Sequence, residues 1–167
     1  MIGVLAAIKE PARFDRLILI DPSPRYIDDD GYVGGFTRED IAGLLEFQDS
    51  NYLGWSRSLA PTIMGHPERP ELATELGDSF CRTDPAIAKQ FAAVTFLSDN
   101  RADLPHVRAR ALILQSREDA IAPPAVGAYV QGHLPDSELV LLDTTGHCPH
   151  LSAPAETIAA MRRFLRA

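Results

Sequence analysis

Two polar segments in the last third of the sequence carry residues that could do acid–base chemistry. Asp119 follows the apolar run Ala111–Leu114, and His147 follows a second apolar run, Leu139–Leu142. A carboxylate that accepts a hydrogen bond from an imidazole fixes the tautomer of the ring and stabilises its protonated form. The other ring nitrogen is then free to act as a general base. We therefore predict that Asp119 is an orienting acid and His147 a base.

Each of these residues also has a purely structural interpretation. Asp119 could cap a helix near Pro123, and Glu118 is a second candidate for the acid. His147 stands in a Gly-His turn and could be a buried histidine without chemistry. His150, three residues later, is more typical of a structural or supporting residue.

Charge and composition exclude several other classes of function. The chain has 167 residues, of which 46% are hydrophobic and 23% charged, enough apolar mass for a core. A formal net charge of −7 opposes binding to nucleic acid or to an anionic membrane. No run approaches the roughly 20 apolar residues of a membrane span. Cys81 and Cys148 lie far apart, and no histidines have ligand spacing, so we expect no metal, no cofactor and a cytoplasmic location.

The elements that must position the acid and the base alternate as in a parallel sheet. A helix opens the chain and ends before Pro11, and Arg16–Ile20 is an unbroken apolar run closed by the turn Asp21–Pro24. Helices over about 125–133 and 155–165 follow the two later strands. This order predicts an α/β fold of about three parallel strands, with reactive side chains at their carboxyl ends.

A helical stretch separates the first strand from the second. Apolar residues recur at helical spacing in four segments between about Thr37 and Asp103. The segment Thr37–Asp40 resembles a capping box, and Thr83 or Asp84 is expected to cap the fourth helix. Pro61 is expected to interrupt the second helix. The sequence therefore predicts a four-helix insert.

The division predicted from this pattern is a helical lid, residues 37–103, inserted into an α/β core formed by residues 1–36 and 104–167. Trp55, Phe91 and Phe96 on the lid helices have two interpretations. Aromatic residues at helical spacing usually pack helix against helix. They can also line a substrate pocket, because lid helices present an apolar underside to the core. The pocket is favoured for Trp55, and both interpretations stay open for the two phenylalanines.

The segment from Leu112 to Leu151 resembles the C-terminal part of an α/β-hydrolase. Within that superfamily it is similar to the group of the bacterial stress regulator RsbQ and the plant karrikin and strigolactone receptors. Four further segments share this resemblance: Asp21–Pro24, Tyr32–Phe36, Asn51–Trp55 and Phe80–Pro85. The resemblance implies that Asp119, in the pattern Asp-x-x-x-Pro, is the triad acid and His147 the triad base. It also implies a four-helix lid over a hydrophobic pocket.

The nucleophile of such a hydrolase is not found in this sequence. The family's serine stands in a G-x-S-x-G turn from strand to helix, and it precedes the acid in chain order. None of the serines before Asp119 has the flanking glycines. The resemblance places this turn immediately before Met1, so we expect a C-terminal fragment. Without the serine and the loop that donates an oxyanion-hole N–H, we expect the chain to be inactive alone.

Three functions are compatible with these features. The resemblance implies a serine-type hydrolase that acts on a small apolar ester or lactone. The alternative is a non-catalytic ligand sensor in stress signalling, acting on sigma factor regulation through a phosphatase partner. The third is an inert remnant of a truncated reading frame.

Overall fold

The chain folds into a three-stranded parallel sheet with helices on both faces and four helices inserted between the first two strands. These features are seen in a computed structural model that describes residues 1–166. The elements, in chain order, are α1 (Ile2–Lys9), β1 (Arg16–Ile20), α2 (Arg38–Ser50), α3 (Tyr52–Met64), α4 (Pro70–Cys81), α5 (Pro85–Leu97), β2 (Arg110–Glu118), α6 (Pro124–His133), β3 (Ser137–Thr145), α7 (Pro149–Ser152) and α8 (Pro154–Arg166), with short 3-10 turns at Pro11–Arg13 and Arg101–His106.

The sheet has the order β1-β2-β3, and the central strand β2 is buried from Ala111 to Ser116. Ile18 of β1 is in register with Leu112 of β2, which confirms the predicted parallel pairing. Residues of β2 alternate between two cores. Ile113 packs on the side of α1 and α6, whereas Leu112 and Leu114 pack against Phe164 of α8. Burial on both faces explains the unbroken apolar runs.

The first and the fourth of the inserted helices begin where the sequence predicts. Thr37 and Asp40 form the capping box of α2, and Asp84 caps α5 by accepting hydrogen bonds from two amides of its first turn. The expected interruption at Pro61 is wrong, because α3 runs through this residue without a break. Proline omits a single hydrogen bond of the helix, and packing of α3 against α2 and α4 holds the remaining ones in place.

The surfaces left uncovered in the described part of the chain include a strand edge and the apolar side of a helix. Strand β1 pairs with β2 along one edge, and among residues 1–166 no strand pairs with its other edge. On α5 the apolar side carries Ile87, Phe91 and Val94, whose exposed fractions are 64%, 59% and 64%. In the same residues, no helix is long and apolar enough to cross a membrane.

Candidate active site

Asp119 and His147 meet at the carboxyl ends of β2 and β3. These strands are adjacent and parallel, so the segments that follow them emerge at the same edge of the sheet. Oδ2 of Asp119 lies 2.7 Å from Nδ1 of His147. The Asp119 side chain is completely buried, and 22% of the His147 side chain is exposed. The acid is thus hidden from solvent, whereas the imidazole can reach a neighbouring molecule.

Asp119 is oriented by its own turn. Its Oδ1 accepts a hydrogen bond of 2.8 Å from the amide of Ile121, which leaves Oδ2 directed at His147. A carboxylate oxygen only accepts, so Nδ1 of His147 carries the proton of this bond and Nε2 is the free ring nitrogen. The structural interpretation of Asp119 as a helix cap is not what is seen, because α6 begins at Pro124 without a side-chain cap. Glu118, the other candidate acid, is exposed and accepts a hydrogen bond of 3.4 Å from Thr145.

The backbone at Gly146 and His147 is held between β2 and α3. The amide of Gly146 donates to the Glu118 carbonyl at 2.7 Å, and the amide of His147 donates to the Ile63 carbonyl of α3 at 2.7 Å. Gly146 has φ of +90°, and a Cβ at this position would overlap the carbonyl oxygen of Met64. Only glycine satisfies both conditions, which explains the Gly-His sequence.

Sequence reasoning missed a third ionisable residue, Asp21, which is 2% exposed and directly follows β1. Its Oδ1 and Oδ2 accept hydrogen bonds from the amide and the hydroxyl of Ser116, at 2.7 and 2.9 Å. One Asp21 oxygen lies within 4.8 Å of an oxygen of Asp119 and a ring nitrogen of His147. The sequence did contain a signal for this residue, because Asp21 stands at the carboxyl end of a strand, as Asp119 does. Its position between a strand and two prolines instead indicated only a turn.

The environment of Asp21 disfavours its charged form. Burial raises the pKa of Asp21 from 3.8 to about 6, and the negative charge of Asp119 adds to this effect. The hydrogen bonds from Ser116 and the positive form of His147 act in the opposite direction. Asp21 also has φ of +41°, a left-handed conformation that costs a non-glycine residue about 1 kcal/mol or more. Strain of this kind is often found at functional sites.

The three side chains of Asp21, Asp119 and His147 include ligand types that suit a divalent cation. However, the Nδ1 atom of His147 and the Oδ2 atom of Asp119 are already joined by a short hydrogen bond, and both oxygens of Asp21 accept from Ser116. The arrangement therefore suits proton transfer better than metal coordination.

A cavity of about 590 Å³ lies between the four inserted helices and the sheet side of the fold, and His147 forms part of its wall. Trp55, Phe91 and Phe96 all line this cavity. Trp55 is buried beside Phe80, with the ring centroids 5.6 Å apart. Phe91 is largely exposed, and Phe96 packs edge-to-face on Tyr26 with the centroids 5.1 Å apart. The two interpretations of these aromatic residues are compatible, since the same rings line the cavity and contact other rings.

A second cavity of about 370 Å³ is lined by both Asp21 and His147, together with Phe91 and Val94 of α5. The imidazole thus borders both cavities. Cys148, next to His147, is half-buried, and burial raises the pKa of its thiol to about 11. The thiol is consequently protonated near neutral pH and is a poor nucleophile.

The fold and the position of the acid and base define an α/β hydrolase. Residues 2–160 match the model of the alpha/beta hydrolase family, and the chain belongs to that family. Within that family, the chain is similar to karrikin and strigolactone receptor-like proteins. It is 36% identical over 166 residues to a karrikin insensitive 2 receptor from Petunia hybrida and 35% identical over 166 residues to a strigolactone esterase from Arabidopsis thaliana.

Each of these alignments covers 99% of this chain but 62% of the relative. A hydrolase from Oleispira antarctica has a similar structure, with a TM-score of 0.96 and 39% identity. That superposition covers 99% of this chain and 61% of the other. The chain thus spans about three fifths of the length of these relatives.

Proposed function

We propose that this chain supplies the acid, the base and the lid of a serine-type hydrolase that acts on small apolar esters or lactones. The observation that carries the proposal is the 2.7 Å hydrogen bond between Asp119 and His147 at the wall of an apolar cavity. A buried carboxylate behind a partly exposed imidazole is the arrangement that general-base catalysis requires. The nucleophilic serine is proposed to lie outside these 167 residues, since none of them belongs to a G-x-S-x-G motif.

The proposed reaction proceeds through an acyl-enzyme. Nε2 of His147 takes the proton of the serine hydroxyl as the serine oxygen attacks the ester carbonyl, and Asp119 stabilises the imidazolium that forms. The tetrahedral intermediate collapses, the C–O bond to the alcohol breaks, and His147 returns the proton to the departing oxygen. Water then repeats the sequence on the acyl-enzyme with His147 again as base, releasing the acid and the free serine.

The cavity supports a small apolar substrate. Its volume, about 590 Å³, is in the range of pockets for small molecules, and most of its lining side chains are apolar. We propose that Trp55, Phe91 and Phe96 contact the apolar part of the substrate while its carbonyl lies beside His147. The proposed division into a core of residues 1–36 and 104–167 and a lid of residues 37–103 places these three side chains on the lid.

A fused protein tests the proposal. The chain is joined at Met1 to the part of the Oleispira antarctica hydrolase that the superposition leaves unmatched, and turnover of p-nitrophenyl acetate is measured. We expect turnover by the fused protein and none by the 167-residue chain. We also expect His147→Ala to reduce kcat by about 10³-fold or more, as the loss of a triad member does elsewhere. Asp119→Asn should reduce it in the same direction.

The matched control is His133→Ala, an exposed histidine at the end of α6 on the same core. This variant should retain full turnover. A folded fused protein without turnover, or turnover that survives His147→Ala, would contradict the proposal. An independent check is the DNA sequence upstream of Met1. We expect it to encode a G-x-S-x-G motif in the same reading frame. A remnant without function would lack it.

Ligand sensing is a second candidate, and the names of several relatives favour it. The chain is 36% identical to two karrikin insensitive 2 receptors of Petunia hybrida. In this alternative the cavity binds a small apolar ligand, and the lid presents a surface to a signalling partner such as a phosphatase. A fused protein that binds a small lactone with unchanged affinity after His147→Ala, and never hydrolyses it, would favour sensing.

We also propose a cytoplasmic location. Cys81 and Cys148 are both free and half-buried, and they lie in different parts of the fold, Cys81 at the end of α4 and Cys148 beside α7. Free thiols of this kind are typical of a reducing compartment.

A further inference from the structure

Asp21 is a buried carboxylate without a permanent cationic partner. The hydrogen bonds that its side chain accepts come from the amide and the hydroxyl of Ser116, both neutral groups. Within residues 1–166, no lysine or arginine forms an ion pair with it. The group able to offset its charge is therefore His147, in the protonated form that arises during proton transfer. A buried charge normally has a partner, which makes this arrangement unusual.

The position of Asp21 is also held by several independent contacts. Its amide donates to the Leu114 carbonyl at 2.8 Å, which continues the pairing of β1 with β2 past the end of the strand. Ser116 fixes both carboxylate oxygens, and the backbone stays at φ of +41°. These contacts hold the Asp21 carboxylate in place. One of its oxygens lies within 4.8 Å of both Asp119 and His147.

We propose that Asp21 is a positioning residue of the acid–base centre, a second carboxylate that acts through His147 by stabilising its protonated ring. The proposal rests on the proposed function and deepens it. Asp119 holds the ring at Nδ1, whereas Asp21 approaches from the neighbouring strand and borders the second cavity with His147. Because attraction between unlike charges is strong at this distance in a partly buried site, protonation of the ring and ionisation of Asp21 favour each other.

The titratable groups that surround Asp21 are Asp119, His147, Tyr26 and Cys148. Burial raises the pKa of Tyr26 to about 12 and that of Cys148 to about 11. Both groups stay neutral over the range from pH 4 to pH 9. His150 is a further titratable group beside His147, since both line one cavity, and burial and the positive form of His147 lower the pKa of His150. Proton exchange in that range therefore involves Asp21, Asp119 and the two histidines, which should titrate as a coupled unit.

The first experiment follows the His147 ring by ¹⁵N NMR as a function of pH, in the 167-residue chain and in the fused protein. Asp21→Asn removes the charge but keeps the shape, and asparagine tolerates positive φ. Its oxygen can accept from the Ser116 amide, and its NH2 can donate to the Ser116 hydroxyl in place of the bond that Asp21 accepts. We expect the pH midpoint of the ring signal to fall by about 0.5 unit or more, since a nearby charge of this kind commonly shifts a titration by that amount. The matched control is Asp15→Asn, whose side chain is 95% exposed before the other end of β1. This control should leave the midpoint unchanged, and an unchanged midpoint in Asp21→Asn would overturn the proposal.

The second experiment does not depend on the folding of an Asp21 variant. The carboxyl carbon of Asp21 is followed by ¹³C NMR in the unmodified chain and in His147→Ala. Coupling is reciprocal, so loss of the imidazole should move the Asp21 midpoint to higher pH. An identical midpoint in the two proteins would overturn the proposal.

A third measurement links the coupling to turnover and separates the two proposals. In the fused protein, Asp21→Asn should shift the acid limb of the kcat/KM profile by the same amount and in the same direction as the ring midpoint, with little change in KM. The titrations need no substrate. Coupling without turnover would therefore contradict the proposed hydrolase alone, whereas turnover with an unshifted profile would contradict the role of Asp21.

Discussion

The backbone conformation of Gly146 determines where the imidazole of His147 lies. Its φ of +90° and the absence of a Cβ allow the turn to pass directly beneath the Met64 carbonyl. We predict that Gly146→Ala lowers the free energy of unfolding of the fused protein by about 2 kcal/mol or more, because it combines backbone strain with steric overlap. The His147 ring should also lose its contact with Asp119. Urea denaturation and the ring signal of His147 measure the two effects.

Gly132 provides the control for this substitution. It lies in α6, and a Cβ there would meet no heavy atom within 4 Å. Gly132→Ala should therefore be neutral, or stabilise the protein by about 0.5–1 kcal/mol through the better helix propensity of alanine. Equal stability of Gly146→Ala and Gly132→Ala would show that the turn does not need glycine.

The contact between Asp119 and His147 follows from the sequence, but the presence of Asp21 beside them does not. Segments that follow adjacent parallel strands emerge at one edge, so the meeting of the first two residues needs only the strand order. Asp21 obeys the same rule, yet Pro22 and Pro24 make its segment resemble a simple turn. What identifies it is the pair of hydrogen bonds from Ser116, 95 residues away in the chain. A contact over that separation has no local signature.

At the scale of the elements, Gln48 is a polar side chain of α2 in an apolar environment. It is 2% exposed, and its Oε1 accepts no hydrogen bond, whereas its Nε2 donates a long one of 3.4 Å to Ala88 of α5. We predict that Gln48→Met raises the free energy of unfolding of the fused protein by about 1 kcal/mol. Methionine fills a similar volume and removes a buried acceptor that has no partner. Thermal or urea unfolding measures the change.

Gln115 of β2 is the matched control. Its Oε1 is also unpartnered, but its Nε2 donates a hydrogen bond of 2.9 Å to the Ala122 carbonyl in the turn that carries Asp119. Gln115→Met should lower the free energy of unfolding by about 1–3 kcal/mol, because it leaves the Ala122 carbonyl without this donor. If Gln48→Met and Gln115→Met changed the free energy of unfolding in the same direction, the distinction between a weak amide contact at Gln48 and a structural one at Gln115 would be refuted.

The sequence predicts the inserted helices well and their environment less well. Caps such as Thr37 and Asp84 are local, and the structure confirms them. Pro61 was expected to interrupt α3, but tertiary packing outweighs the loss of one backbone hydrogen bond. The apolar pattern of α5 predicts a buried side, yet Ile87 and Val94 are each 64% exposed. Periodicity indicates that a helix has an apolar side, not what covers it.

At the scale of the whole molecule, the free edge of β1 and the apolar side of α5 should make the 167-residue chain associate with other copies of itself. Unpaired edges and contiguous apolar surfaces both promote association. We expect the chain to elute ahead of a monomer in gel filtration and to unfold with low cooperativity. The fused protein should elute as a single species and unfold sharply.

Charge substitutions locate the surface responsible. Val94→Glu on α5 should reduce association, whereas Leu165→Glu, on a residue of α8 that is 54% exposed, should not. A sharp monomeric peak with a cooperative melting transition for the unmodified chain would contradict this prediction.

The three strands and their order are predictable from the sequence, because they depend on local apolar runs and on the handedness of βαβ units. Which side chains stay uncovered depends on the complete set of contacts and is not predictable from those runs.

The hydrogen bond from the His147 amide to the Ile63 carbonyl gives helices α3 and α5 unequal freedom. This hydrogen bond connects the C-terminal end of α3 to the backbone of the base. A movement of that helix would therefore displace the imidazole. Helix α5 packs mainly on α2 and has no such tether to the His147 turn. If the proposed function is correct, the substrate would enter beside α5, past Phe91 and Val94, while α3 stays in place.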